Sequence, residues 1–268
     1  MDERIVLVKG GGDLGTGVAL RLFQHDYHVV VTELPQPLVV RRKVAVASAI
    51  YEERVTIEGV EARRAQDVAG IRAAWAVGHI PVIVDPETRL AQELWPCAVV
   101  DAIMAKRNMG TTIADAPIVV ALGPGFCAGV DCRAVVETER GPNLGRVYFN
   151  GSTAPDSGLP GEIGGEAARR VLRAPRDGSF VGRVRIGDLV RAGDVVGQVD
   201  GQPVTAAIPG VVRGLLISGV AVRAGTKVGD VDPRGDPALC SRVSDKAWKV
   251  ADGVLEALAR LAPSSGVA

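Results

Sequence analysis

The sequence predicts an α/β protein: a Rossmann-like parallel sheet, then a β-rich pseudo-two-fold sandwich or barrel module, then a C-terminal helix. Three observations predict it. Short apolar runs alternate with helical periodicities over the first half, as expected of a parallel sheet covered on both faces. The phrase VRAGDVVGQVD at 190–200 returns as VRAGTKVGDVD at 222–232, with 8 of 11 positions identical at an offset of 32. The stretch 244–261 carries an apolar stripe of Ala247, Trp248, Ala251, Val254, Leu255 and Leu258 at helical spacing, with Ser244 placed to cap it.

Taken in order, residues 4–9 read as a strand running into Gly10-Gly11-Gly12-Asp13-Leu14-Gly15-Thr16-Gly17, and a helix carrying Val18, Ala19, Leu22 and Phe23 follows. A second strand, 28–32, stops at Glu33. Residues 38–50 read as a helix bearing Arg41, Arg42 and Lys43. Further strands are expected at 55–57, 80–84, 98–100 and 118–122, with a helix over 66–77. The text becomes loop-dense from Gly123, and from about 178 to 232 strands alternate with glycine turns. Four segments result: a cofactor-binding domain over 1–125, a loop-rich connector over 126–177, the β module over 178–235 and the helix within 243–262. Gly193 and Gly225 supply the left-handed turn in each copy of the repeat. The repeat resembles carrier domains, but Val199-Asp200-Gly201-Gln202-Pro203-Val204 holds no lysine, so biotinyl or lipoyl carriage is excluded on chemistry.

Composition excludes several function classes. Lys+Arg and Asp+Glu both total 31 and aromatics are 4%, which leaves neither a basic field nor a stacking surface for nucleic acid. Apolar runs are strand-sized, too short for a membrane span. The four cysteines contain no Cys-x-x-Cys, a strand pattern opens the chain where a leader would lie, and a cytoplasmic home is expected.

The chemistry-bearing candidate is Gly10-x-Gly12-x-x-Gly15 with Gly11, Asp13 and Gly17 around it. It follows a strand and opens a helix, so its backbone can approach a pyrophosphate at the helix's positive end. Glu33 comes 21 residues after Gly12, at the end of the second strand, where a carboxylate accepts ribose hydroxyls. The alternative is a turn that packs helix on strand. Asp13 is irregular, since an acid in the loop repels phosphate unless it faces away. Arg41 and Arg42 are either a phosphate clamp or a solvated face. Gly123, Pro124, Gly125 and Phe126 follow another strand end, in the same crevice or in a turn leaving the sheet. Asp85, Asp101 and Lys106 sit at strand ends, as polar caps or as acid and base; Glu137 and Arg140 fit an ion pair or a ligand clamp. Cys127 and Cys132 read as small buried thiols, and no metal-ligand spacing appears.

Several motifs also recur together in one family. They are the Gly10–Gly17 loop, Glu33 with Arg41-Arg42, Leu122-Gly-Pro-Gly-Phe126, Glu137-Thr-x-Arg-Gly141, Leu144-Gly-Arg146, Arg213-Gly-Leu-Leu216, Gly229-Asp-Val-Asp-Pro-Arg234 and Ser244-Asp-Lys246. The chain resembles the selenium-dependent molybdenum hydroxylase system proteins of the YqeB type. These are similar in their nucleotide-binding half to the accessory proteins that mature xanthine dehydrogenase. The resemblance implies an accessory role in finishing or inserting a molybdenum cofactor, with selenium or sulfur as terminal ligand. The cofactor implied is a molybdopterin-type dinucleotide, its pyrophosphate between the two glycine loops, and the partner implied is a molybdenum hydroxylase apoenzyme; a homodimer is compatible with this. A hydroxyl residue stands at the place of Cys127 in that family and Cys132 is no motif position, so neither thiol gains a transfer role. Competing readings are an NAD-dependent oxidoreductase, for which NAD is the alternative cofactor, and a non-catalytic scaffold.

Overall fold

A computed structural model describes residues 4–158 and 161–262. Strand β1 (Ile5–Lys9) is buried along its whole length. Its alternate residues feed two cores: Val6 and Val8 face one layer, Ile5 and Leu7 the other. That double burial is why the strand is a continuous apolar run. Gly10 (φ +92°) turns the chain into α1 (Asp13–Phe23). Strand β2 (His28–Glu33) returns parallel to β1.

Beyond β2 come α2 (Ala49–Glu52), β3 (Arg54–Ile57), β4 (Val60–Ala65), α3 (Val68–Ala76), β5 (Ile80–Val84), α4 (Ala91–Leu94), β6 (Ala98–Asp101), β7 (Ile118–Leu122), β8 (Ala134–Val136) and β9 (Val147–Tyr148). These strands form one sheet of order β3-β4-β5-β2-β1-β6-β7-β8-β9. The pairs β3–β4 and β8–β9 are antiparallel and the others parallel.

The second half contributes β10 (Val171–Arg173), β11 (Gly178–Gly182), β12 (Leu189–Val190), β13 (Val195–Val199), β14 (Gln202–Thr205), β15 (Gly210–Leu215), β16 (Ala221–Val222) and β17 (Lys227–Asp232). They build two antiparallel sheets, β10-β17-β15-β12 and β14-β13-β11-β16, around a core that includes Phe180, Val196, Ile208 and Val231. Each sheet draws strands from both copies of the repeat.

The fold class expected from the sequence is corrected in two respects. The first sheet is mixed, not parallel, and runs past residue 125 through β8 and β9. In place of the expected carrier-domain-like module, the second half forms two four-stranded antiparallel sheets around a common core, with an added strand, β10, from before residue 178. A local expectation also fails. Residues 38–50 are not a helix but an irregular segment with two 3-10 turns, Arg42–Val44 and Val46–Ser48, before the single turn of α2. The reason is tertiary. The Val40 carbonyl accepts the Leu215 N–H at 2.7 Å and Arg42 Nε donates to the Leu215 carbonyl at 2.8 Å, so this backbone extends along β15.

Helix α5 (Asp245–Leu261) packs back across α1. A Cβ at Gly17 would lie 2.8 Å from the Ala247 carbonyl oxygen, and one at Gly253 would overlap the Gly145 carbonyl. Arg21 joins the two helices, stacking on Trp248 at 4.7 Å and pairing with Asp252 at 2.7 Å. No helix among the described residues is long and apolar enough to cross a membrane.

Candidate functional site

Strand order reverses direction beside β1, whose neighbours β2 and β6 come from opposite sides of the connection. Open α/β sheets take ligands outside the carboxyl ends of strands at such a point. A cleft lies there in two contiguous lobes of about 780 and 730 Å³, which share Asp13, Lys106 and Lys227.

The first lobe sits over the glycine loop and has apolar walls from Leu34, Leu38, Val39, Ile103, Met104 and Met109. Each glycine of the loop has its own physical role. Gly11 presses against Val46 and Ala47, Gly15 against the Gly10 carbonyl, and Gly17 against α5. Gly12 is different. It is the N-cap of α1 at φ −69°, and a Cβ there would meet nothing nearer than Val39 Cγ1 at 4.0 Å. Neither backbone nor packing demands a glycine at that position, so its open side belongs to the cleft.

Glu33 is bound into the loop. Its Oε1 accepts the Gly11 N–H at 2.7 Å and its Oε2 the Leu34 N–H at 3.0 Å. Burial pushes its carboxyl pKa up, while the two amides pull it back. The Gly11 amide is therefore spoken for, and the carboxylate reaches the cleft with its remaining lone pairs. Asp13 is neutralised by Arg41 at 2.6 Å, and that guanidinium also donates to the Leu239 and Arg242 carbonyls. The acid in the loop therefore carries its own counter-charge.

At the floor of this lobe lies a buried chain that the sequence reading missed as a unit. Lys9 Nζ donates to Thr111 Oγ1 and that hydroxyl to Asp101 Oδ2, both at 2.6 Å. Lys9 and Asp101 are register partners at the carboxyl ends of β1 and β6. Strand-end position was the available signal, but Thr111 enters from a loop and completes the chain.

The second lobe lies between the nine-stranded sheet and the second-half sheets. Arg213 occupies a register break in β15, between Val212 and Gly214, and the bulge turns its side chain into the cleft. It is 8% exposed, lies 3.5 Å from Asp232, and its Nε has no hydrogen-bond partner among the described residues. Lys227 opens β17, 3.7 Å from Asp230, and Asp230 also pairs closely with Arg170. Lys246, in the first turn of α5, has no carboxylate or hydrogen-bond partner among the described residues. Burial lowers the pKa of all three; Arg41 lowers that of Arg213 further, Arg170 that of Lys227, and Lys106 that of Lys246.

The other expected residues distribute as follows. Arg42 ties β15 to the first sheet and faces away from both lobes. Pro124 reaches the second lobe. Gly123 and Gly125 (φ +73° and +102°) make room for Thr138 and Arg107, and Phe126 is buried in a side core with Val119 and Val135. Asp85 accepts the Arg89 and Leu90 amides at 3.0 Å. Lys106 pairs with Asp156 at 3.6 Å. Glu137 accepts the Thr138, Glu139 and Ala154 amides at 2.7 to 2.9 Å, whereas Arg140 grips Asp245 through two bonds and holds its carboxyl down to about 2. Glu137 and Arg140 are thus not each other's partners. Burial pushes the Cys132 thiol up to about 12 and those of Cys97 and Cys240 upward. Among the described residues no group of three or more His, Cys, Asp or Glu side chains is arranged to hold a metal ion.

No family model matches the chain. A curated relative from Escherichia coli (strain K12), described as the uncharacterized protein YqeB, is 47% identical over 259 residues. That alignment covers 97% of this chain and 48% of the relative, so the chain spans about half the relative's length. Among solved structures, an aspartoacylase family protein from Mesorhizobium loti is 14% identical with a TM-score of 0.27, covering 85% of this chain and 84% of that one. A succinylglutamate desuccinylase/aspartoacylase from Rhodobacter sphaeroides is 15% identical with a TM-score of 0.26, covering 85% and 84%. An ectoine utilization protein from Ruegeria pomeroyi is 13% identical with a TM-score of 0.22, covering 85% and 57%.

The comparisons correct the functional expectation. The relative's description carries no activity and names neither molybdenum nor selenium. The role in maturing a molybdenum hydroxylase, with its selenium or sulfur step, is set aside. TM-scores of 0.22 to 0.27 assign neither fold nor activity to this chain.

Proposed function

We propose that this chain binds a nucleotide in the lobe over its glycine loop. The observation that carries the reading is Gly12, a glycine that neither the backbone nor the packing requires, standing at the N-cap of α1 with open space above it. A phosphate seated there meets unpaired helix amides and the positive end of the helix. The apolar walls from Leu34 to Met109 suit the face of a ring system, and Glu33 lies within the same lobe for ribose hydroxyls. The two dinucleotides expected from the sequence, a molybdopterin-type cofactor and NAD, share these parts: ring, ribose and pyrophosphate.

Lys9 supports the reading from the floor. Its ammonium donates to Thr111 and lies 4.0 Å from Asp115, which leaves donors to turn toward a ligand oxygen at the strand ends.

Calorimetric titration with AMP and NAD tests it. Wild type is expected to bind at least one, and Gly12→Val to lose that binding while still unfolding cooperatively, with stability lowered by only about 1 kcal/mol for the poorer N-cap. A wild type that takes up neither nucleotide, or a Gly12→Val variant that binds as tightly, overturns the reading.

A further inference from the structure

We infer that the second lobe is a phosphate subsite, built from Arg213, Lys227 and Lys246, that adjoins the lobe over the glycine loop and shares Lys227 with it. The inference rests on the charges of this lobe and not on the nucleotide reading, so either can fail alone.

Four of the six acids lining the lobe are already committed, and the other two, Glu139 and Glu162, line it from exposed positions. Asp13 is taken by Arg41, Asp156 by Lys106, and Asp230 by Arg170 with Lys227 at 3.7 Å. All three backbone amides within reach of Glu137 are bound to it. Arg213, Lys227 and Lys246 therefore converge on one cavity of about 730 Å³, where Lys227 shares Asp230 with Arg170 and Arg213 lies 3.5 Å from Asp232. They arrive from three elements: the bulge of β15, the start of β17 and the first turn of α5. A buried guanidinium with an orphaned Nε is costly unless an acceptor reaches it. The lowered pKa values of the three groups have the same cause, burial beside like charge, and an entering anion reverses it.

A phosphate dianion fits this set better than a single carboxylate. Two ammonium groups and one guanidinium edge offer donors from three directions, matching a tetrahedral oxyanion. Two sources share that chemistry: a terminal phosphate of the nucleotide in the neighbouring lobe, or a separate phosphorylated substrate.

Pyrophosphate and inorganic phosphate are titrated calorimetrically into wild type, Lys246→Met, Lys227→Met and Gly12→Val. Lys246 has no partner to abandon, so its variant is expected to keep the wild-type urea midpoint. The expected result is saturable pyrophosphate binding by wild type, weakened about tenfold or more by either lysine variant and unchanged in Gly12→Val. Arg213→Lys is expected to retain part of the affinity. Competition between pyrophosphate and ADP assigns the subsite to the nucleotide's own phosphate, and simultaneous binding assigns it to a second ligand. Absence of pyrophosphate and phosphate binding in wild type overturns the inference. So does wild-type affinity in both lysine variants, or loss confined to Gly12→Val.

Discussion

The two copies of the repeated phrase make the most instructive comparison in the molecule. Eight of their eleven residues coincide, and the shared ones do the same structural work. Gly193 (φ +93°) and Gly225 (φ +81°) turn the chain in the same left-handed way. Gly197 and Gly229 are each pressed by a neighbour, Phe180 in one copy and Leu172 in the other. The first difference conserves a role: Asp194 Oδ2 accepts the Arg191 N–H at 2.7 Å, and Thr226 Oγ1 accepts the Arg223 N–H at 3.2 Å. The other two differences change the chemistry. Val195 is 48% exposed and Gln198 meets Arg183 at the surface, whereas their counterparts Lys227 and Asp230 line the cleft. One turn-and-strand unit has been used twice for folding and once for a site, because only the second copy borders the cleft.

That contrast can be broken experimentally. Replacing Asp230 by its counterpart, Asp230→Gln, leaves Arg170 buried without its carboxylate and should cost about 3 kcal/mol in urea unfolding. The mirror change Gln198→Asp, at the surface, should move stability by less than about 0.5 kcal/mol. Equal losses would mean that the copies are energetically alike.

The turn glycines predict the opposite outcome. Gly193→Ala and Gly225→Ala should each cost about 1–2 kcal/mol, with matching values, since both adopt positive φ and have nothing near their missing Cβ. Lys227→Val should weaken pyrophosphate binding about tenfold without lowering stability at pH 7, because it removes an ammonium that burial disfavours. Val195→Lys should leave binding unchanged.

The smallest effect is a pH dependence. Asp232 has its carboxyl held below the ordinary 3.8; burial opposes this, but Arg234, at 2.6 Å, and Arg213 outweigh it. A depressed folded pKa contributes stability that is complete above the unfolded value and lost as pH falls through the folded one. The stability gap between wild type and Asp232→Asn should therefore be constant above about pH 5 and narrow steadily below pH 4.

Much of the first sheet was readable, because β1, β2, β5, β6 and β7 are continuous apolar runs that local periodicity reports. β4 escaped notice although Glu58-Gly59 marks the hairpin before it, both residues having positive φ. Strands β8 and β9 escaped because three- and two-residue strands carry no period. The helix expected over 38–50 gives way to β15, where the Leu215 N–H and carbonyl engage Val40 and Arg42. In the candidate site, the places of Gly12 at a helix start and Glu33 at a strand end were legible from spacing. The separate tasks of Gly11, Gly15 and Gly17 were not, because each depends on a neighbour far away in the chain.

From the chain alone come the strand–glycine–helix entry, the repeat with its turns, and the capped amphipathic helix at the end. All three are local, written in spacing and in the conformational limits of glycine and serine. The cleft's second lobe is a tertiary product. Arg213, Lys227 and Lys246 stand on a bulge, a strand start and a helix turn, and no periodicity records that these three points meet. Their convergence follows from α5 crossing α1 at Gly17 and from β15 docking on residues 40–42, contacts that exist only once the two halves have packed together.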